Sequence, residues 1–251
     1  MSSPPPADRG LPPAQRPVAV LVHAYFEEDA RVRRKVEALA RAGHPVEVFA
    51  LRRPEDSPLV ERDGVRVHHL AVSRHQGAGI TTYLREYLSF MVRAAIALAR
   101  AHRRRRFALV DVNSLPDFLV FAGLPLRLVG VPLLLDLHEA MPEFFASRFP
   151  RASNPVARFA LRLQERLSIG LASAVVTVNE SLAGRLREIG VPADKVTVVL
   201  NSPSTELFDP SARPGRAFMA DGRLRLVYAG ALTPIYELDV VLHAVAALRN
   251  A

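Results

Sequence analysis

Short apolar segments alternate with amphipathic helical segments along most of the chain, and this alternation constrains the fold more than any other feature. The segments that we predict as strands of the first domain are 18–23, 46–51, 65–70, 107–112, 133–137, 174–178 and 196–200. Segments between them carry apolar residues at the spacing of one helix face, most clearly over 81–102. Apolar strands separated by helices are typical of a parallel sheet that is covered on both faces. The sequence therefore predicts an α/β fold with a Rossmann-like parallel sheet and helices on both faces.

Polar residues and glycines mark the ends of the predicted helices. Asp29, Asn154 and Asn179 each precede a segment of helical periodicity, where a side-chain oxygen can accept hydrogen bonds from the first turn. Gly43 and Gly190 stand where two of these segments end, since glycine tolerates the left-handed backbone of a helix terminus. These signals place the helices between the strands.

The composition changes along the chain and divides it into four predicted segments. They are a disordered proline-rich lead, an N-terminal Rossmann-like domain, a linker and the beginning of a second domain, at residues 1–16, 17–208, 209–222 and 223–251. The lead has no apolar core and is therefore not a signal peptide. The last segment offers one predicted strand, 224–230, and one helix, which cannot bury a core of their own. We therefore expect it to open a second Rossmann-like domain that this sequence leaves incomplete.

The balance of charge favours anionic partners. The formal net charge is +8, and arginine supplies nearly all of the cations, since lysine occurs only at Lys35 and Lys195. Nucleotide diphosphates and acidic lipid surfaces suit this charge, although a genomic bias towards arginine explains it equally well. Nucleic acid is not expected as a partner, because no basic stretch is interleaved with aromatic residues that would stack on bases. The run Arg103–Arg106 has two open interpretations, a contact with anionic lipid and a solvated helix end.

The chain contains no cysteine, which excludes disulfides and cysteine-ligated metal sites. No metal site is predicted. No apolar run reaches the length that a bilayer-spanning helix needs. We expect a cytoplasmic protein, with peripheral contact at the inner face of the membrane as an open alternative.

A cluster of ionisable residues lies at the end of the apolar strand 133–137 and directly after it. Asp136, His138, Glu139 and Glu143 lie close together in the stretch LLLDLHEAMPEFF. Ligands of open parallel sheets bind beyond the carboxyl ends of the strands, so this cluster lies at the predicted binding edge. His138 is the candidate catalytic residue, because a neutral imidazole donates and accepts hydrogen bonds near neutral pH; the alternative is that it caps the next turn. The three acids are candidates to bind substrate, and Asp136 either fixes the imidazole or has a structural role.

Four blocks of the sequence occur in an order that is similar to a known family. They begin with EEDARVRRKVE, VDVNSLPDF, ASAVVTVNE and LVYAGALTP and cover residues 27–51, 110–145, 172–210 and 226–249. Together they resemble the glycosyltransferases of family 4, which are retaining enzymes of the two-domain GT-B fold. The resemblance extends over residues 17–251.

The resemblance implies transfer of a sugar from a nucleotide diphosphate sugar to an acceptor, a glycan or a lipid-linked molecule, with retention at the anomeric carbon. It also implies that the N-terminal domain binds the acceptor and the C-terminal domain the nucleotide, with no cofactor beyond this co-substrate. In the family, two glutamates with seven residues between them complete the site from the C-terminal domain, and they are not among these 251 residues. We therefore expect this fragment alone to have little or no transferase activity.

The resemblance adds further candidates to bind substrate. Asn113 stands where many members of the family carry a histidine that contacts the sugar or the acceptor, and Asp117 follows it as a second candidate or as a helix cap. In the first loop, Arg31 is placed to reach an anion. Near the crossing into the second domain, Glu180 and Asn201 match positions at the interdomain cleft, although a helix N-terminus and a turn also favour these residue types.

Gly230 and Thr233 are the donor-binding candidates, through a backbone amide and a hydroxyl group. The family commonly has a basic residue after this glycine, whereas this chain has Ala231, so a cation that would neutralise the leaving diphosphate is missing from the loop. Two other functions therefore stay open. One is a sugar-nucleotide epimerase of the same fold, and the other is a non-catalytic protein that binds a sugar or a nucleotide.

Overall fold

A computed structural model describes residues 16–72, 79–149, 154–203, 208–212, 215, 217, 219–230, 232 and 236–249. These residues form two compact units, one ending at Ser202 and the other beginning at Pro203. The predicted lead lies, except for Arg16, outside the described residues. The boundaries predicted for the linker and the second domain stay predictions.

The first unit alternates strands and helices as the sequence predicts. Its described strands are β1 (Val18–Val22), β2 (Val46–Leu51), β3 (Leu59–Arg62), β4 (Val65–Leu70), β5 (Leu109–Asn113), β6 (Leu133–Leu137), β7 (Ala174–Thr177) and β8 (Val196–Val198). Its described α-helices are α1 (Ala30–Arg41), α2 (Ile80–Arg105), α3 (Leu124–Arg127), α4 (Met141–Arg148), α5 (Pro155–Leu171) and α6 (Glu180–Glu188), and a 3₁₀ helix covers Asp117–Gly123.

Within the described residues the strands form one eight-stranded sheet in the order β3-β4-β2-β1-β5-β6-β7-β8. All neighbouring pairs are parallel except β3 and β4, which are antiparallel. The prediction of a Rossmann-like parallel sheet is therefore confirmed. The edge strand β3 was not predicted, because its sequence LVER is exposed at all four positions and lacks the apolar pattern of a buried strand.

Side chains of β1 show how the sheet is covered on both faces. Ala19 and Leu21 pack into a core cluster that includes residues of α2, the 3₁₀ helix and α5. Val18, Val20 and Val22 point the opposite way and pack into a second cluster with residues of α1. Successive strand residues face opposite sides, so a strand that is apolar at every position can be buried on both.

The predicted capping residues make the expected contacts. The side chain of Asp29 accepts hydrogen bonds from the amides of Arg31 and Val32 at the start of α1. The side chains of Asn154 and Asn179 accept from the third residue beyond each of them, at the starts of α5 and α6. Each cap satisfies amides that have no partner inside the helix.

The second unit departs from the prediction in its first element. The helix α7 (Leu238–Arg249) is present, but residues 224–230 do not form the predicted strand. A parallel strand is held by hydrogen bonds to a neighbouring strand, and the described residues of this unit contain no strand that could pair with it. An apolar run is therefore not sufficient for a strand without a partner.

Candidate functional site

The strands β5 and β6 end side by side at the carboxyl edge of the sheet, where Asn113 pairs in register with Asp136. Lys35 reaches this edge from α1. Its Nζ lies 2.6 Å from Asp111 Oδ2, 2.6 Å from Asn113 Oδ1 and 2.8 Å from Asp136 Oδ2. One ammonium group thus joins acceptors from two strands. We call Lys35, Asp111, Asn113, Asp136 and His138 the strand-exit cluster.

The charges in this cluster influence one another strongly. Burial raises the pKa of Asp111 above its usual value, against the opposing charge of Lys35. Burial alone would also raise the pKa of Asp136, but its hydrogen bond with His138 and the charge of Lys35 lower that pKa to about 2. Burial would lower the pKa of Lys35, and the charges of Asp111 and Asp136 raise it instead. Asp136 is therefore a carboxylate, and Lys35 an ammonium ion, throughout the neutral pH range.

The imidazole of His138 is held between polar groups. Its Nε2 lies 3.2 Å from Asp136 Oδ1, and its Nδ1 lies 3.5 Å from Asn201 Nδ2. The backbone amide of His138 donates to Ser114 Oγ at 3.1 Å. The side chain of His138 is 11% exposed, whereas the next residue, Glu139, is exposed. With Nε2 protonated towards Asp136, Nδ1 is the nitrogen that can accept a hydrogen bond from a ligand hydroxyl.

Asn113 has both ends of its amide engaged inside the protein. Its Oδ1 accepts from Lys35, and its Nδ2 donates to the carbonyl oxygen of Leu21 on β1 at 3.2 Å. The residue is buried. Asn113 therefore links the cluster to β1. Its amide would have to break one of these two hydrogen bonds to contact a substrate.

Asp117 lies outside the cluster, in the first turn of the 3₁₀ helix. It is buried, and its Oδ1 accepts a hydrogen bond from Gln164 Nε2 of α5 at 2.9 Å. Its Oδ2 has no hydrogen-bond partner among the residues that the structure describes. Burial raises the pKa of Asp117 to about 6, despite the hydrogen bond from Gln164. The structure thus places this candidate between two helical elements.

Two other predicted acids pair with arginine on α6. Glu143 accepts from Arg185 Nε at 3.1 Å and from its Nη2 at 2.9 Å, while the same guanidinium binds the buried Glu165 of α5 at 2.8 Å. Glu180 contacts Arg187 Nη2 at 3.3 Å. Arg185 thus joins α6 to α4 and α5, whereas the Glu180–Arg187 pair lies within α6. The structure does not bring Glu143 or Glu180 to the strand-exit cluster.

Arg31 lines a surface cavity beside the start of α1. Its Nη2 lies 3.0 Å from Asp29 Oδ2, so the helix cap already engages its charge. The cavity has a volume of about 350 Å³ and is lined by Ala24, Tyr25, Glu28, Asp29, Ala30 and Arg31. An anion bound here would compete with Asp29 for the guanidinium.

The donor candidates belong to the second unit. Gly230 is exposed, and Thr233 lies outside the described residues. Across the described ranges, no group of three or more acidic or histidine side chains is arranged to hold a metal ion. In the strand-exit cluster an ammonium group stands between the carboxylates.

Sequence reasoning missed two members of the cluster, Lys35 and Asp111. Both left a signal. Lys35 is one of two lysines in a chain whose other cations are all arginine, and Asp111 is an acid inside the apolar segment FALVDV. A charge inside a buried strand requires a partner, and a cation on a neighbouring helix is the simplest one.

Comparison with known families gives one match. The model of the glycosyl transferase 4-like domain matches residues 29–202, which is more than half of the chain. No curated protein sequence matches significantly.

Solved structures share the fold at low sequence identity. Sucrose-phosphate synthase from Thermosynechococcus elongatus has a TM-score of 0.60 and 18% identity, over 77% of this chain and 50% of that chain. The catalytic domain of starch synthase IV from Arabidopsis thaliana, bound to ADP and acarbose, has a TM-score of 0.50 and 15% identity, over 80% of this chain and 54% of that chain. HepE from Anabaena, in complex with UDP and glucose, has a TM-score of 0.50 and 16% identity, over 78% of this chain and 48% of that chain. This chain thus spans about half the length of these proteins.

Proposed function

This chain belongs to the glycosyl transferase 4-like family, and from that premise we propose that it supplies the acceptor-binding part of a retaining glycosyltransferase. The proposed reaction transfers a sugar from a nucleotide diphosphate sugar to a glycan or a lipid-linked acceptor. The bond between the anomeric carbon and the diphosphate oxygen breaks, and a bond to the acceptor oxygen forms on the same face. The nucleotide diphosphate leaves and takes up the proton that the acceptor hydroxyl loses. No cofactor is needed besides the sugar nucleotide, and we expect the reaction in the cytoplasm.

The observation that carries this proposal is the strand-exit cluster. It lies at the carboxyl edge of a parallel sheet, which is where ligands of such sheets bind. Within it, Lys35 holds Asp136, and Asp136 holds the imidazole of His138. Groups that are fixed before the ligand arrives bind it without the cost of ordering side chains. The cluster is therefore built to present one oriented imidazole to a ligand.

His138 has the role of a hydrogen-bonding group for a sugar hydroxyl. The carboxylate of Asp136 accepts from Nε2, which leaves Nδ1 as the acceptor that faces Asn201. A hydroxyl of the acceptor or of the transferred sugar can replace the long 3.5 Å contact with Asn201. Lys35 cannot neutralise a leaving diphosphate, because three protein acceptors already surround it. In this proposal the second domain supplies that neutralisation.

The proposal is tested on the full-length protein that contains this chain. It is incubated with UDP-glucose or ADP-glucose and an alkyl glycoside acceptor, nucleotide release is measured, and the anomeric configuration of the product is read by NMR. We expect a product that retains the donor's configuration. His138→Ala should lower turnover by about 10²-fold or more. His44→Ala is the matched control, because it removes a histidine from the turn before β2 and should leave turnover unchanged.

Two results would contradict the proposal. Equal turnover by His138→Ala and His44→Ala would remove His138 from the site. An epimerised nucleotide sugar that forms without consumption of acceptor would assign the protein to the epimerase alternative. The 251-residue chain by itself should show little or no turnover with either donor.

A further inference from the structure

The helix α2 is apolar on its outward side as well as on its inward side. Phe90, Ala94 and Leu98 are buried in the core against the sheet. On the outward side, four aliphatic residues at four-residue spacing are between 42% and 54% exposed, namely Leu84, Leu88, Val92 and Ile96. A surface helix of a globular protein usually carries polar residues there. We therefore expect a binding partner to cover this outward stripe of aliphatic residues.

The helix α5 repeats this arrangement on the same face of the sheet. Its outward apolar residues are between 46% and 76% exposed, namely Val156, Phe159, Leu163 and Leu167. Its inward residue Ile169 packs into the same core cluster as α2, and the 3₁₀ helix contacts both helices. The two stripes therefore lie on one side of the unit. We call the outward surfaces of α2 and α5 the arginine–aliphatic face.

All the exposed charges of these two helices are positive. The exposed arginines are Arg85, Arg93, Arg100, Arg103, Arg104, Arg158, Arg162 and Arg166. Each helix contains one acidic residue, and both of these are buried, Glu86 beside His23 at 3.2 Å and Glu165 bound to Arg185. Arg105 also lies at the end of α2 but does not belong to this exposed group, because its guanidinium binds the buried Glu47 of β2 at 3.0 Å.

We propose that the arginine–aliphatic face lies on the surface of an anionic lipid bilayer. Aliphatic and aromatic side chains that project between arginines suit the boundary between acyl chains and phosphate headgroups. A protein partner would need a matching acidic and apolar surface, whereas an anionic bilayer supplies both at once. Of the helices that the structure describes, none is long and apolar enough to cross a bilayer, so the contact is peripheral. The proposal does not depend on the proposed transferase activity.

The charge dependence is tested by sedimentation of the 251-residue chain with vesicles. One set contains phosphatidylcholine alone, and the other contains phosphatidylcholine mixed with phosphatidylglycerol. We expect binding to the mixed vesicles only. The double variant Arg158→Gln/Arg162→Gln should bind them about 30-fold more weakly. Arg33→Gln/Arg41→Gln removes the same charge from α1 on the opposite face of the sheet, and should weaken binding by less than about fivefold.

The apolar contribution is tested with Phe159→Ser, which changes no charge and removes no core contact. It should weaken binding to the mixed vesicles by about tenfold. Leu59→Ser, an exposed aliphatic residue on β3, is the matched control and should have no effect. Equal binding to neutral vesicles, or equal losses in the α5 and α1 variants, would overturn the proposal. Self-association of the chain that Phe159→Ser abolishes would also overturn it, because a second copy would then be the occupant.

Discussion

The substitution Lys35→Met removes the cation of the strand-exit cluster while keeping the length of the side chain. It leaves Asp111 and Asp136 buried with no ammonium group between them. Removing one partner of a buried ion pair costs about 3–5 kcal/mol, because a buried charge stays uncompensated. The side chain of Lys35 is 28% exposed, which lets water relieve part of this cost. We therefore expect the free energy of unfolding to fall by about 3 kcal/mol at pH 7.

Urea denaturation followed by circular dichroism measures this loss, with midpoints compared at constant slope. Arg33→Met is the matched control, because it removes an exposed cation from the same helix, two residues away, and should cost about 0.5 kcal/mol or less. Without Lys35, the folded state raises the pKa of Asp111 further above its unfolded value. Below the unfolded pKa the carboxyl of Asp111 is protonated in both the folded and the unfolded state and costs no stability. The protein loses stability as the pH rises from there through the folded pKa. The deficit of Lys35→Met should therefore shrink as the pH falls from 7 to 4.

The double variant Lys35→Met/Asp111→Asn checks the cause. It removes one of the two uncompensated charges and should recover part of the lost stability. The reasoning is refuted if Lys35→Met costs no more than Arg33→Met, or if the double variant is less stable than Lys35→Met at pH 7.

Three further predictions concern other polar groups that are buried or partly buried. Asp117→Asn should stabilise the protein by up to about 3 kcal/mol at pH 7, because the folded pKa of Asp117, about 6, exceeds the unfolded value of 3.8. The wild type therefore loses stability as the pH rises between these two values. Urea midpoints at pH 4 and pH 7 measure the effect, and an equal effect at both would contradict the prediction. Burial and neighbouring arginines lower the pKa of His102, so the wild type should lose stability relative to His102→Ala as the pH falls below about 6.5. Thermal melts of both proteins at pH 7 and pH 5 measure this. A stability difference between them that is the same at both pH values would exclude this cause. Arg185→Met should lower the free energy of unfolding in urea by about 3 kcal/mol, because it leaves the buried Glu165 without its arginine. Glu143→Gln should lower it by about 0.5 kcal/mol or less, since that carboxylate is mostly in solvent. Similar losses in the two variants would show that the buried acid is not the reason.

The parts of the fold that follow from local pattern were predictable. The strand β6 was predicted with its observed bounds, 133–137, because it opens with three consecutive leucines. The caps at Asn154 and Asn179 follow from the chemistry of side chains that are adjacent in sequence to the helices they cap. The helix α4 and the edge strand β3 were not predicted. Both have little apolar periodicity, and their formation depends on neighbours that are distant in sequence, such as β4 for β3.

The candidate site shows a similar division. Asp136 and His138 could be found because they lie at the end of a buried strand. Lys35 could not be assigned to them, because the sequence does not show how α1 docks on the sheet or how far a long side chain reaches from it. The placement of Asp117 between helical elements, with Gln164 as its partner, also depends on docking that local sequence does not specify.

The contacts of Lys35 have a consequence for the order in which this protein acquires its structure. The lysine bonds to residues that lie 78 and 101 positions away along the chain. Closing loops of that size is entropically costly and slow, and it becomes favourable only after intervening strands have already aligned. We therefore expect the strand-exit cluster to be completed late in folding, so that a variant that slows pairing of the central strands delays ligand binding as much as formation of the native sheet.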